Sequence, residues 1–353
     1  MTNTAPYPAP AARSVLRLSS PADVVAAVPY LVGFQPARSA VLLSLRKPRE
    51  RVGLTMRVDL PPPEDAADVV TDLLPYLRRD RADKVIVVLY GTASDAAALW
   101  ATLQHAFHRD RLPIREALRI ADGRWWSYLC DNPECCPPDG TEILSPTEPG
   151  GPTRVGAEFV SAGLMALGSR EELVDTVQPD PPAVAALQEL LAPAARDAVR
   201  RVVSPGGLAA ARRDWQRLVV RVLEARSRQH PAPRLDDALV VDLLIALADI
   251  PTRDVAAEWA SDRDPSVAGS VKSLWLELTR RAPAPYDVAP ATLLAHAAWY
   301  AGNGALARVA VERALASDPS YRLALLIEQV LDAGVDPATA RRHRPRGRRR
   351  GGR

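Results

Sequence analysis

The 353 residues, 47% hydrophobic and 25% charged, supply enough material for two ordinary domains rather than one. Of 45 basic and 42 acidic residues, eight arginines fall in the last thirteen positions, where there is no acid, so the preceding 340 residues carry more acid than base. That disfavours a generally basic, nucleic-acid-binding body and leaves room only for a local basic patch. No stretch reaches the roughly 18 apolar residues of a membrane span, and the opening residues have no apolar core of signal-peptide length. A cytoplasmic location is expected, and three clustered cysteines are a poor basis for a disulfide-built secreted fold.

Residues 1–13, rich in proline and alanine, read as a disordered segment. Ser20 and Pro21 then open a helix that Gly33 closes, with Val24, Val25, Val28 and Leu31 at helical spacing. Residues 39–45 and 52–60 alternate as two strands around the polar stretch RKPRER, predicting a hairpin. A helix over 64–79 presents Val69, Leu73 and Leu77, and residues 84–90 (KVIVVLY) form a strand buried on both faces. A helix to Arg109 and strands over 114–121 and 125–129 complete a mixed-sheet α/β domain, residues 14–150.

Past the loop-like segment 130–153, strand periodicity disappears. Residues 151–340 predict a helical domain with helices over 155–167, 170–177, 182–203, 208–228, 235–248, 254–260, 266–279, 291–301, 305–316 and 321–331. Ala307, Ala314 and Pro319 have the spacing of a tetratricopeptide-type second helix, which gives this domain a repeat-like end. Residues 341–353 read as a disordered arginine-rich arm. Its Arg341, Arg342, Arg344, Arg346, Arg348, Arg349, Arg350 and Arg353 are candidates for nonspecific, salt-dependent contact with nucleic-acid phosphates, or only aid solubility or contact the acidic body.

Candidate ligand-binding residues fall in two groups. Gln35, Arg38 and Ser39 lie between the first helix and the hairpin, while Arg57 and Asp59 are two apart on one strand and share a side. Such an Arg-Asp arrangement holds a carboxylate or phosphate, serves a general base, or is a structural ion pair. Arg124, Trp126 and Tyr128 alternate, offering an aromatic and cationic surface or plain packing.

Cys130, Cys135 and Cys136 are spaced too irregularly for a standard zinc knuckle. Adjacent thiols seldom share a tetrahedral ion, and an outside ligand such as His105 or His108 would be needed. No structural zinc and no cofactor are expected. Glycine-rich phosphate loops, GxSxG and HExxH are absent, so no standard signature decides whether the chain is an enzyme.

The stretches VPYLVGFQPARSAVLL, GLTMRVDLPPP and RWWSYLCDNPECCPPDGT, with AEFVSAGLMALGSREELV and AAWYAGNGALARVAVERALASDP, resemble an uncharacterised actinobacterial domain family of unknown function over residues 14–335. The alanine- and arginine-rich composition likewise resembles proteins of a GC-rich actinobacterium. The resemblance implies no catalytic assignment. The expectation is a ligand- or partner-binding scaffold or regulatory protein. The alternatives are a metal-independent hydrolase or transferase using Arg57 and Asp59, and a nucleic-acid accessory protein acting through its tail.

Overall fold

Ser20 accepts the backbone N–H of Asp23 while the Asp23 carboxylate accepts that of Ser20, and this reciprocal cap starts α1 (Pro21–Val32). Gly33, at φ +89°, ends it in the left-handed conformation. The computed structural model describes residues 18, 20–144, 153–161, 166–228, 233–261 and 265–343; the segment 1–13 and the arm beyond His343 lie outside them.

The expected hairpin is β1 (Ser39–Arg46) and β2 (Arg51–Asp59). It is followed by α2 (Ala66–Arg79), β3 (Lys84–Tyr90), α3 (Ala93–Arg109), β4 (Ile114–Ala121), β5 (Arg124–Ser127) and the two-residue β6 (Thr141–Glu142). The strands form one mixed sheet in the order β2-β1-β3-β4-β5-β6, in which only β3 and β4 are parallel. Alternate residues Leu42, Val87 and Ala117 face Val70, Leu74 and Leu77 of α2 and Leu99, Leu103 and Phe107 of α3. The expected face of α2 thus meets the core, with Leu77 fully buried and Val69 and Leu73 half-buried against the same cluster, while their apolar neighbours Val70 and Leu74 are the more deeply buried.

A polar clamp ties the hairpin to the end of α2. Asp80 accepts from Arg46 Nε (2.9 Å), from Ser44 and from the backbone N–H of Leu54 (3.2 Å). Gly53 makes room for it, since a Cβ there would lie 2.5 Å from the Asp80 carboxylate.

The helix after the linker, α4 (Thr153–Ser161), returns to α1: Val155 and Phe159 pack with Ala27, and Phe159 stacks on Tyr30 at 5.1 Å between ring centroids. The chain therefore divides into compact units between Ala166 and Leu167, later than residue 150. The proline- and glycine-rich loop ends the sheet but not the unit, because the apolar pair on α4 finds its partner on α1.

Among its described residues the second unit is built of helices alone. They are α5 (Arg170–Asp175), α6 (Pro181–Val203), α7 (Gly207–Arg228), α8 (Asp237–Ala248), α9 (Ile250–Ser261), α10 (Pro265–Arg281), α11 (Val288–Tyr300), α12 (Gly304–Ser317), α13 (Arg322–Asp332) and α14 (Pro337–His343). α11 is apolar nearly all round and packs against α8, α9, α10, α12 and α13. The successive packing of α10, α11 and α12 is repeat-like, and the fully buried Ala307, Ala310 and Ala314 let α12 approach closely. No described helix is long and apolar enough to cross a membrane.

Asp249 joins α8 to α9. Its carboxylate accepts the Thr252 N–H (3.2 Å) and hydroxyl (2.8 Å) and is gripped by Arg212 at 2.8–3.2 Å. Burial alone would raise its pKa, but the hydrogen bonds from Arg212 and Thr252 outweigh it and hold the carboxyl below its ordinary value. A depressed folded-state pKa means stability that is present above the unfolded value and lost as pH falls through the folded one. Asp249→Ala should cost about 1–2 kcal/mol at neutral pH. In urea unfolding at stepped pH, the gap to wild type should narrow below about pH 4.

Candidate functional site

At the carboxyl end of the parallel pair β3 and β4, strand register brings together residues far apart in sequence. Ser39, the first residue of β1, lies directly opposite Tyr90 on β3 and Asp59 on β2, all on the face away from α2 and α3. Arg57 shares that face two residues along β2. Its guanidinium reaches the Asp59 carboxylate at 2.6 Å and lies 5.8 Å from the ring centre of buried Phe34. The Arg57 side chain is 20% exposed and that of Asp59 79%, so the cation is sunk and its carboxylate partner is at the surface.

The Ser39 hydroxyl, the Tyr90 hydroxyl and Arg57 Nε are buried with no hydrogen-bond partner. Burial raises the Tyr90 pKa, so its hydroxyl keeps its proton and remains a donor at neutral pH. Buried polar atoms without partners are rare and costly, and three of them on one end of one sheet face make a place that a polar group would complete. Tyr90 was missed in sequence because it reads as the last residue of an apolar strand. The signal that marks it is its position immediately before Gly91 and the Thr92 cap of α3.

Gln35 and Arg38 do not join this group. Gln35 is exposed, and the Arg38 side chain, 75% exposed, pairs with Asp95 in the first turn of α3 at 3.6 Å. Arg38 serves the edge through its backbone: at φ +40° its carbonyl accepts the N–H of Leu60 (2.8 Å), closing the end of the hairpin.

Arg124, Trp126 and Tyr128 lie on the opposite sheet face. β5 is four inter-strand steps from β2, about 19 Å. Tyr128 stacks on Trp100 of α3 (4.6 Å) and packs on the core. Trp126 lies 3.7 Å from the Arg119 guanidinium and donates Nε1–H to the carbonyl of Pro138 (2.9 Å), while Arg124 donates to that of Gly140 (2.8 Å). What these side chains hold is the cysteine loop of their own chain. Gly140, at φ +76°, permits it, since a Cβ there would meet the Trp126 ring at 2.4 Å.

Within that loop the N–H groups of Cys135 and Cys136 both donate to the Asn132 carbonyl (3.3 and 2.8 Å). With this tight turn the adjacent thiols and Cys130 all come within 4.8 Å of one another. The backbone N–H of Asn132 lowers the Cys130 pKa, and burial pushes that of Cys136 up to about 12. Neither His105 nor His108 joins them.

A shallow cleft of about 760 Å³ lies at the other end of the sheet, lined by Lys47, Arg49, Glu50, Asp83, Lys84 and Pro113. Its charges are largely paired internally, Lys47 with Asp83 at 2.6 Å and Glu50 with both Lys84 and Arg115. Arg341, the first residue of the expected arm, belongs instead to α14, where it donates to the Tyr300 carbonyl and lies over the Tyr300 ring. The remaining arm arginines lie outside the described side chains.

The profile of one protein family, Domain of unknown function (DUF4192), matches residues 21–338. The chain belongs to this family. The DUF4192 match spans the partnerless edge, the cysteine loop and nearly all of the helical unit, and leaves out the arginine-rich end. No curated protein and no solved structure matches the chain.

Proposed function

We propose that this DUF4192 chain is a cytoplasmic ligand-binding protein whose α/β unit takes a small molecule bearing a carboxylate or phosphate at the Ser39, Arg57 and Tyr90 edge. The observation that carries this reading is the set of three buried donor groups without partners on one sheet end. Asp59 acts as the internal stand-in: an exposed carboxylate parked on a sunken guanidinium, free to swing into solvent when a ligand oxyanion replaces it. Its engagement with Arg57 favours binding over service as a general base.

The stand-in makes the reading testable. Thermal shift and calorimetry with carboxylates and phosphates should identify a class that stabilises the full chain. Arg57→Gln should abolish that response. Asp59→Ala removes only the competitor and should tighten binding two- to fivefold, about the worth of an exposed ion pair. If Asp59→Ala and wild type are equally indifferent to every oxyanion, Arg57 and Asp59 are a structural pair and the proposal fails.

A further inference from the structure

We infer that Cys130, Cys135 and Cys136 form a three-thiolate site for one zinc ion, separate from the oxyanion edge. All three sulfurs lie within 4.8 Å of one another, with Cys130 and Cys135 at 3.3 Å. Zinc–sulfur bonds of about 2.3 Å place ligand sulfurs about 3.8 Å apart in a tetrahedral site, so small side-chain adjustments bring the trio onto one ion.

A disulfide is the competing use of close thiols, but it needs two sulfurs and leaves the convergence of the third without a reason. All three cysteines are free. A metal uses all of them.

The loop is shaped independently of any ion. The Asn132 carbonyl collects two N–H groups, the Asn132 side chain accepts the N–H of Glu134 (3.0 Å), and Trp126 and Arg124 fasten residues 138–140 to the sheet. Such outer support fixes ligand direction and is characteristic of built metal sites. Thiolates select soft ions, zinc and copper(I) before magnesium or calcium. No fourth Cys, His, Asp or Glu joins the group among the described residues, and Cys135 is exposed. The three thiolates fill three zinc positions, and water or another donor completes the fourth, as in sites with three protein ligands.

The full-length protein, purified under reducing conditions without chelator, should contain about one zinc per chain by elemental analysis. Replacement by cobalt(II) should give sulfur-to-cobalt charge-transfer absorption in the near ultraviolet and the strong visible bands of a tetrahedral ion. Each of Cys130→Ser, Cys135→Ser and Cys136→Ser should remove the metal and the charge-transfer band while circular dichroism and thermal unfolding retain the folded transition. Trp126→Phe keeps every sulfur but loses the anchor at Pro138, and should weaken zinc affinity about tenfold or more in a chromophoric chelator competition. The inference is overturned if wild type holds less than about a tenth of an equivalent of zinc after reconstitution. It is also overturned if the triple serine variant binds zinc as well as wild type, or if copper(I) is retained where zinc is not. A Cys130–Cys135 disulfide that persists under reduction, seen as a two-hydrogen mass loss in intact protein, would equally overturn it.

Discussion

Glu277→Ala should destabilise the helical unit by about 3–5 kcal/mol. Glu277 lies on α10 and holds two guanidinium groups, Arg226 of α7 at 2.5 Å and Arg281 at 2.8 Å, and it accepts the Leu235 N–H at 2.8 Å. The Arg226 and Arg281 side chains are 7% and 3% exposed. Removing the carboxylate leaves Arg226 without its acidic partner and Arg281 with the Leu235 carbonyl and Asp237, whose side chain is 51% exposed. Breaking a buried pair is far costlier than breaking an exposed one because the stranded charge stays desolvated. The loss should appear in urea unfolding as a lower midpoint with an unchanged slope, and as a fall in Tm of roughly 10 °C or more. Glu277→Gln keeps an acceptor for Leu235 and should lose less. A cost below about 1 kcal/mol for Glu277→Ala would show that water reaches the network.

Gly140→Ala should cost more than Gly123→Ala, although both glycines have nearly the same backbone, φ +76° and +72°. A Cβ at 123 meets nothing within 4 Å, whereas one at 140 lies 2.4–2.8 Å from the Trp126 indole. Placing alanine in the left-handed region costs about 1–3 kcal/mol at either site. The extra penalty at 140 is displacement of a ring that stacks on Arg119 and anchors Pro138. Tryptophan fluorescence should report a changed Trp126 environment only in the 140 variant, together with earlier unfolding of the α/β unit. Equal costs in the two variants would mean that the loop is not seated on Trp126.

Much of the fold could be read locally. The cap at Ser20 and Pro21, the apolar run at 84–90 and the helical spacing past residue 153 each depend on neighbours within a few positions, and each becomes the expected element. What could not be read depends on partners distant in the chain. The return of α4 to α1 is invisible in the periodicity of either, and α14, with Arg341 docked on Tyr300, is hidden by the arginine-rich composition around it.

The sites divide in the same way. The alternation of Arg57 with Asp59, and of Arg124 with Trp126, puts each pair on one side of a strand, and Tyr128, one residue past β5, packs on the core. That the two sets occupy opposite faces follows only from register across β1, β3 and β4. Tyr90 enters the first site by facing Ser39, and the cysteines converge because one carbonyl, that of Asn132, draws two amides into a turn that spacing alone does not encode.

The most direct test of the oxyanion edge is a crystal structure of the full chain grown with the carboxylate or phosphate that raises its Tm most. Ligand density is expected within hydrogen-bond distance of Ser39 Oγ, Arg57 Nε and Tyr90 Oη, with Asp59 turned into solvent. Density seated instead in the cleft beside Lys47, Arg49 and Lys84, with Asp59 still on Arg57, would contradict it.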